Sequence, residues 1–374
     1  MKKYKKRIVW LDTTKGIAII TVLMGHMSTG EQLRRYIYSF HMPLFFMISG
    51  ILLYYTGSYK KRTIKESILK LTQNLLYPYI MFSIIATVYA ISVHVVKGRG
   101  AEVIASSITI RFWQLLFSGK VNSTIGILIQ CICDTISFSG IKALWFLPTL
   151  FVGEILVITI LKKCDSDKSI GVAVMAVLIF LVALLIVKQF YLTNSRWSKQ
   201  ITVAFLMYVV LIIIRDIIAA TFILIGFYLA KIDLFNKLNM MHGALFLVVD
   251  AIMSQFNGVD IFGGTIGNIV LFYFNALVGS LAVVVFSKEL LENIKILEYM
   301  GKNSLVIFAT HQFGVTSIAN MLSTKISSNK IMVAILSDIL LIMIELVIVQ
   351  IFNRRFKFVY NYKDAKELIS RCKC

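Results

Sequence analysis

Charge is scarce in this chain. Only 16% of its 374 residues are charged and 58% are hydrophobic, where a soluble domain averages about 25% and 45–50%. Proline is rarer still. The three are Pro43, Pro78 and Pro148, and each falls near the start of an apolar run, where a missing N–H costs least. No stretch rich in Pro, Gly or Ser divides the chain, so one membrane domain is the simplest organisation. Five cysteines occur, at Cys131, Cys133, Cys164, Cys372 and Cys374. None stands with histidine at zinc-ligand spacing, and the terminal Cys-Lys-Cys is no prenylation box, so free thiols are expected. Gly-rich phosphate loops, Ser-centred nucleophile elbows and metal motifs are all missing. So are the alternating ten-residue segments of a membrane barrel. No small-residue cleavage site follows the basic start, and Met1–Arg7 reads as an uncleaved anchor.

What the chain has is apolar sequence in long runs, mostly of 15–22 residues, the length of a bilayer-crossing helix. Ten spans are expected, at 8–28, 40–55, 75–96, 143–161, 170–187, 204–230, 242–256, 267–287, 304–322 and 331–352. With the N-terminus in the cytoplasm, the cytoplasmic segments hold about twice as many Lys and Arg as those across the membrane, and an even span count returns the C-terminus to the same side. The fold expected is an all-α integral membrane protein: about ten helices in one bundle over 1–352, both termini cytoplasmic, and a basic tail over 353–374. The net charge of +20 then reads as orientation and contact with anionic lipid, not as a nucleic-acid surface. In the longest interval between spans, Arg111–Phe117 suggests an interfacial helix with Trp113 at headgroup depth. Residues 124–133 suit a short re-entrant piece. Span 204–230 is over-long, either one tilted helix or two short ones, and contains Arg215 and Asp216.

The first span carries the strongest functional signal. Lys15 and His26 are eleven residues apart, about 20° past three full turns, so they share a helix face about 16 Å apart along the axis. Asp12 lies on nearly the same stripe. Ionisable groups in a membrane are costly and point to function. His26, with an unperturbed pKa of about 6.5, suits removal of a hydroxyl proton; the plainer reading is a packing histidine bonded to a neighbour's backbone. Lys15 can meet a phosphate or an oxyanion, or simply snorkel while paired with Asp12. His41, in Phe40-His41-Met42-Pro43-Leu44-Phe45, reads as an acceptor-side group or as part of an interfacial aromatic belt. Ser49-Gly50 permits close helix approach. Trp145 can stack on a sugar or sit in a belt. Glu154 wants a cationic partner, with Arg215 and Lys15 the choices. Asn303, Ser304 and His311 open the ninth span, Ser304 and His311 on one face.

Together these blocks resemble the acyltransferase-3 family of bacterial membrane acyltransferases, most closely the branch related to fucose 4-O-acetylases. The family's basic residue, ten residues, then histidine is here Lys15-x10-His26, set in Leu11-Asp12-Thr13-Thr14-Lys15-Gly16. Phe40–Phe45 with Ser49-Gly50, Trp145-Phe146-Leu147, and Gly301-Lys302-Asn303-Ser304-Leu305 followed by His311 are similar to its later blocks, in order. The chain differs in having Lys15 where many relatives carry Arg, which removes a bidentate phosphate contact, and Gln73-Asn74 where many are basic. The resemblance implies transfer of an acyl group, usually acetyl from acetyl-CoA, to a carbohydrate hydroxyl. His26 would be catalytic, with Lys15 and Asp12 beside it. Lys15, Lys61 and Arg62 would meet the donor, and His41, Ser49, Trp145, Glu154, Asn303, Ser304 and His311 would lie toward the acceptor. Acetyl-CoA enters as a substrate with no permanently bound cofactor. The partners implied are a free or lipid-linked glycan and anionic lipids, and the setting is the plasma or inner membrane, crossed many times. The competing class is a secondary transporter or flippase using buried Lys, His and Glu.

Overall fold

In a bilayer every backbone N–H and C=O must be satisfied within the protein, and a chain without strand patterning does this as helix. The computed structural model describes residues 8–27, 30–98, 107–118, 120–164, 166–194 and 199–371, and contains no β-strand among them, only an isolated bridge between Asp260 and Thr265. The anchor expected at Met1–Arg7, and Cys372 and Cys374, lie outside the described residues.

In chain order the helices are α1 (Val9–Gly25), α2 (Glu31–Thr56), α3 (Ser58–Lys61) and α4 (Ile64–Leu71), the last continuing through a π-helical turn, Thr72–Leu76, into α5 (Tyr77–Lys97). Then come α6 (Ser107–Leu116), α7 (Thr124–Ile136), α8 (Phe146–Lys163), α9 (Asp167–Thr193) and α10 (Ile201–Lys231). The chain closes with α11 (Met240–Met253), α12 (Ile269–Glu289), α13 (Lys295–Lys302), α14 (Ser304–Thr310), α15 (Thr316–Ile326), α16 (Lys330–Arg355), α17 (Lys357–Tyr360) and α18 (Tyr362–Arg371). Polar residues mark the starts, as in the Thr63–Glu66 capping box and the Asn329 cap, and left-handed glycines at 57 and 98 mark two ends, where only glycine escapes the Cβ penalty.

Eight helices among the described residues are long and apolar enough to cross a membrane, and each overlays an expected span. The two remaining expectations, 8–28 and 242–256, correspond to the shorter helices α1, of 17 residues, and α11, of 14. Span 204–230 is one continuous helix of 31 residues. The expected boundary at 352 falls inside α16, which runs to Arg355.

The proline reading needs correction. α2 begins at Glu31, nine residues before the apolar run, so Pro43 is well inside it. Likewise α4–α5 is one 34-residue span beginning at Ile64, and Pro78 follows its π turn. A widened turn is where a helix accommodates a ring that would otherwise strike the preceding carbonyl. Pro148 sits where expected, in the first turn of α8, and Pro78 is the second residue of α5.

The structure forms two compact units. The first holds residues 1–58, 222–261 and 265–374. Within it α1 packs most extensively on α13, and also on α2 and α12. Glycine makes these approaches. A Cβ on Gly16 would stand 2.1 Å from Leu297 O, one on Gly301 1.8 Å from Asp12 O, and one on Gly50 1.8 Å from Ile223 O. With lipid as apolar as leucine, this backbone-to-backbone packing replaces the hydrophobic drive of soluble cores. Leu11, Ala18, Phe40, Leu44 and Val284 fill the space around it.

The second unit holds residues 59–221 and 262–264. Here Trp113, in the short helix α6, is buried against its neighbours in the protein. Its indole Nε1 donates to Asp134 Oδ1 at 3.2 Å, and the Tyr208 hydroxyl donates to the same oxygen at 2.7 Å. A buried carboxylate needs such donors, and Asp134, 21 residues further on, draws the indole inward. Arg215 is buried too. It donates to Ser139 O at 2.9 Å and to Phe262 O, with its guanidinium over the rings of Trp145 and Phe262.

Candidate active site

Three of the chain's five histidines, His26, His41 and His311, cluster within the first unit. α1 ends at Gly25, so His26 is not a helical residue but its C-cap, with its N–H bonded to Leu23 O and Met24 O. The imidazole is exposed and stands at the end of the helix, near the expected end of the first span. Gln312 places its amide nitrogen 3.0 Å from His26 Nε2 and 3.2 Å from Nδ1. The two ring nitrogens point apart and only the unprotonated one can accept from the amide N–H, so the carboxamide serves one nitrogen at a time. The His311 ring lies 5.1 Å from that of His26, tilted by 35°. The Tyr38 hydroxyl is 3.5 Å from His26 Nδ1, at the outer limit of a hydrogen bond. Tyr38 in turn meets the His41 ring at 4.9 Å.

The elements explain this convergence. α14 stops at Thr310, and a π turn with non-helical Phe313 and Gly314 leads into α15. Gly314 has φ +87°, a conformation that costs other residues about 1–2 kcal/mol. This break directs Gln312 toward His26. His41 and His311 are buried, and in each Nδ1–H donates to a backbone carbonyl: Ile37 O at 2.8 Å for His41, Phe308 O at 2.9 Å for His311. That fixes the tautomer and leaves Nε2 as the basic nitrogen. His41 is packed within the protein, well inside a helix that starts at Glu31.

The start of α1 holds the other polar group. Lys15 Nζ lies 4.0 Å from Asp12 Oδ1, with Asp12 buried and Lys15 partly exposed. Gly301 stands against Asp12 O and Gly16 N, so the Gly301-Lys302-Asn303 block sits at this end. Residue 16 faces 297, residue 12 faces 301 and residue 26 faces 312, so the chain crosses α1 at α13 and then follows it toward its end through α14. These helices form one seam, with Asp12, Lys15 and Asn303 at its start and His26, His311 and Gln312 at its end. Ser304 opens α14, about 10 Å of rise before His311. Ser49 lies in α2 beside Gly50, about 12 Å along the helix from His41.

The other expected residues belong to the second unit. Lys61 ends α3 and Arg62 follows it toward α4, both exposed, Trp145 is buried under Arg215, and Glu154 is partly buried in α8. Sequence reasoning missed Gln312 and Tyr38, which carry no charge. It also passed over two buried carboxylates it had the means to notice. Asp250 accepts from Ser39 Oγ at 3.1 Å, and Glu345 accepts from Thr310 Oγ1 at 2.8 Å; each is a lone acid in an apolar run. Among the described residues no three His, Cys, Asp or Glu side chains stand together as a metal site would need.

A proton-accepting imidazole, steered by a carboxamide and flanked by a second imidazole, is equipped to take a proton from a hydroxyl and return it. A cation one seam-length away is equipped to hold an anionic donor. Neither a curated protein nor a solved structure matches the chain. Residues 8–352 match the family model described as an acyltransferase domain, that of the acyltransferase-3 family. The match covers Asp12 through Gln312 and nearly the whole chain, so this protein belongs to the acyltransferase-3 family and is a multi-pass membrane acyltransferase.

Proposed function

We propose that the protein moves an acetyl group from acetyl-CoA to a hydroxyl of a cell-surface carbohydrate, such as a capsule or O-antigen unit, in the plasma or inner membrane. The observation that carries this reading is the His26 cluster at the end of a helix whose start holds the Asp12–Lys15 pair. The donor lies along the seam, its phosphates toward Lys15 and its thioester at His26. The sugar oxygen attacks the thioester carbonyl as a His26 ring nitrogen takes the hydroxyl proton. The C–S bond then breaks, and the leaving thiolate receives that proton from the imidazolium. Gln312, with its carboxamide turned so that the oxygen faces the ring, accepts from the ring N–H and leaves the opposite nitrogen basic. Mass spectrometry of surface glycans from cells with and without the gene tests the assignment. Loss of acetyl esters on one sugar supports it, and an unchanged glycan profile overturns it.

The break at residues 311–315 is also the kind of discontinuity a transporter uses to bind a solute. A liposome flux assay beside a labelled acetyl-transfer assay separates the two readings. Flux without transfer decides for the transporter.

A further inference from the structure

The seam continues past Lys15 into a part of the chain that the family match does not cover. The Asn303 carboxamide oxygen accepts from Asn353 Nδ2 at 2.9 Å, and Asn353 Oδ1 accepts from the Tyr360 hydroxyl. The last turn of α16 and the tail helices are thereby tied to the Gly301-Lys302-Asn303 block, whose backbone meets Asp12. Beyond Asn353 lies a cleft of ≈ 260 Å³, walled by the end of α16 and by α18.

Its lining is mixed in an informative way. Arg354 and Arg355 supply two guanidinium groups that make no ion pair or hydrogen bond among the described residues. Lys357 is held by Asp364 at 3.3 Å. Phe358 contributes a ring, and Asp364 and Glu367 contribute carboxylates. An anionic bilayer surface would be repelled by those carboxylates and would have no use for the ring. A phosphorylated nucleoside uses all three: phosphates on the guanidinium groups, the base against the phenyl ring, a free sugar hydroxyl and the exocyclic amine donating to the acids.

Resting on the donor reading given above, we propose that this tail cleft binds the phosphorylated adenosine end of the CoA donor, through Arg354 and Arg355. The donor then spans from the tail, past Lys15, to His26, and the segment outside the family domain serves donor capture.

The probe is adenosine 3′,5′-bisphosphate, which carries the nucleotide end alone. Its binding to the full chain in nanodiscs of uncharged lipid is measured by equilibrium dialysis. Wild type is expected to bind it, acetyl-CoA to displace it, and acetyl-pantetheine, which lacks the nucleotide, to leave it in place. The Arg354→Ala/Arg355→Ala double variant is expected to bind about tenfold more weakly, the loss of one charge-assisted contact. The Arg354→Lys/Arg355→Lys variant, which keeps the charge, guards against misfolding and should fall between. Equal binding by wild type and the alanine variant overturns the proposal. So does displacement of the probe by anionic lipid in the disc, which would assign the guanidinium groups to headgroups. Acetyl transfer on the same preparations reports separately on the enzyme reading. Wild type that binds the probe but transfers no acetyl group sinks that reading and leaves the cleft standing.

Discussion

The contact between α1 and α13 is where a single carbon atom should do the most damage. In Gly301→Ala the new Cβ would stand 1.8 Å from Asp12 O, 2.7 Å from Asp12 C and 2.9 Å from Gly16 N. All three are backbone atoms, so no rotamer change relieves the clash. Ordinary contact begins at 3.4 Å, so the helices must part by about 1.6 Å at this level. Over-packing of this kind costs about 1–3 kcal/mol. It also moves Asp12 and Lys15 relative to the His26 end of the seam, and a misplacement of about 1 Å is worth about 100-fold in rate. Gly171→Ala is the control. Gly171 lies inside α9, and a methyl group there would meet nothing within 4 Å. Alanine at that position should stabilise by about 0.8–1 kcal/mol. Thermal unfolding in detergent and a labelled acetyl-transfer assay read both effects. Gly301→Ala should melt earlier and turn over about 100-fold more slowly, with Gly171→Ala at or above wild type in both. If the two variants behave alike, the seam is not the organising contact described above.

Gln312→Ala should lower kcat about 10- to 100-fold with little change in KM, because it removes ring orientation and not substrate binding; Gln312→Glu, which still accepts from the ring N–H, should recover part of the loss, and equal losses in the two would count against the orienting role. Lys15→Ala should raise the apparent KM for acetyl-CoA more than that for the acceptor, and a donor titration that superposes on wild type would remove Lys15 from donor binding. Asp134→Ala, in the second unit, removes the acceptor shared by the buried Trp113 N–H and the Tyr208 hydroxyl. It should cost about 1–3 kcal/mol in thermal unfolding, and an unchanged melt would show that the carboxylate does not organise that unit.

Long apolar runs made the spans legible, because length and hydropathy suffice to mark a membrane helix. The Lys15–His26 spacing was legible for the same reason: helical periodicity is regular over three turns. The start of α2 was not, since Glu31, Arg34 and Arg35 give its first turns a polar composition although the backbone is already helical. That one error moved Pro43 and His41 from the start of a helix to its interior. The bond from Trp113 to Asp134 was not legible, because pairing across a loop leaves no local pattern. Gln312 was hidden for another reason. An uncharged amide draws no attention in a hydropathy reading, and the break that aims it is signalled only by Gly314. Asp250 and Glu345 were visible as lone acids but had no evident partner until Ser39 and Thr310 came into place.

The most direct test concerns His26 itself. The purified full chain in nanodiscs is given labelled acetyl-CoA and an acceptor glycan, with wild type, His26→Ala and a folding control of equal melting temperature compared side by side. Loss of general-base catalysis predicts a fall in transfer of about 10²–10⁴-fold for His26→Ala, with the melt unchanged. Transfer at the wild-type rate by His26→Ala would contradict the account, because the hydroxyl proton would then have gone to some other acceptor.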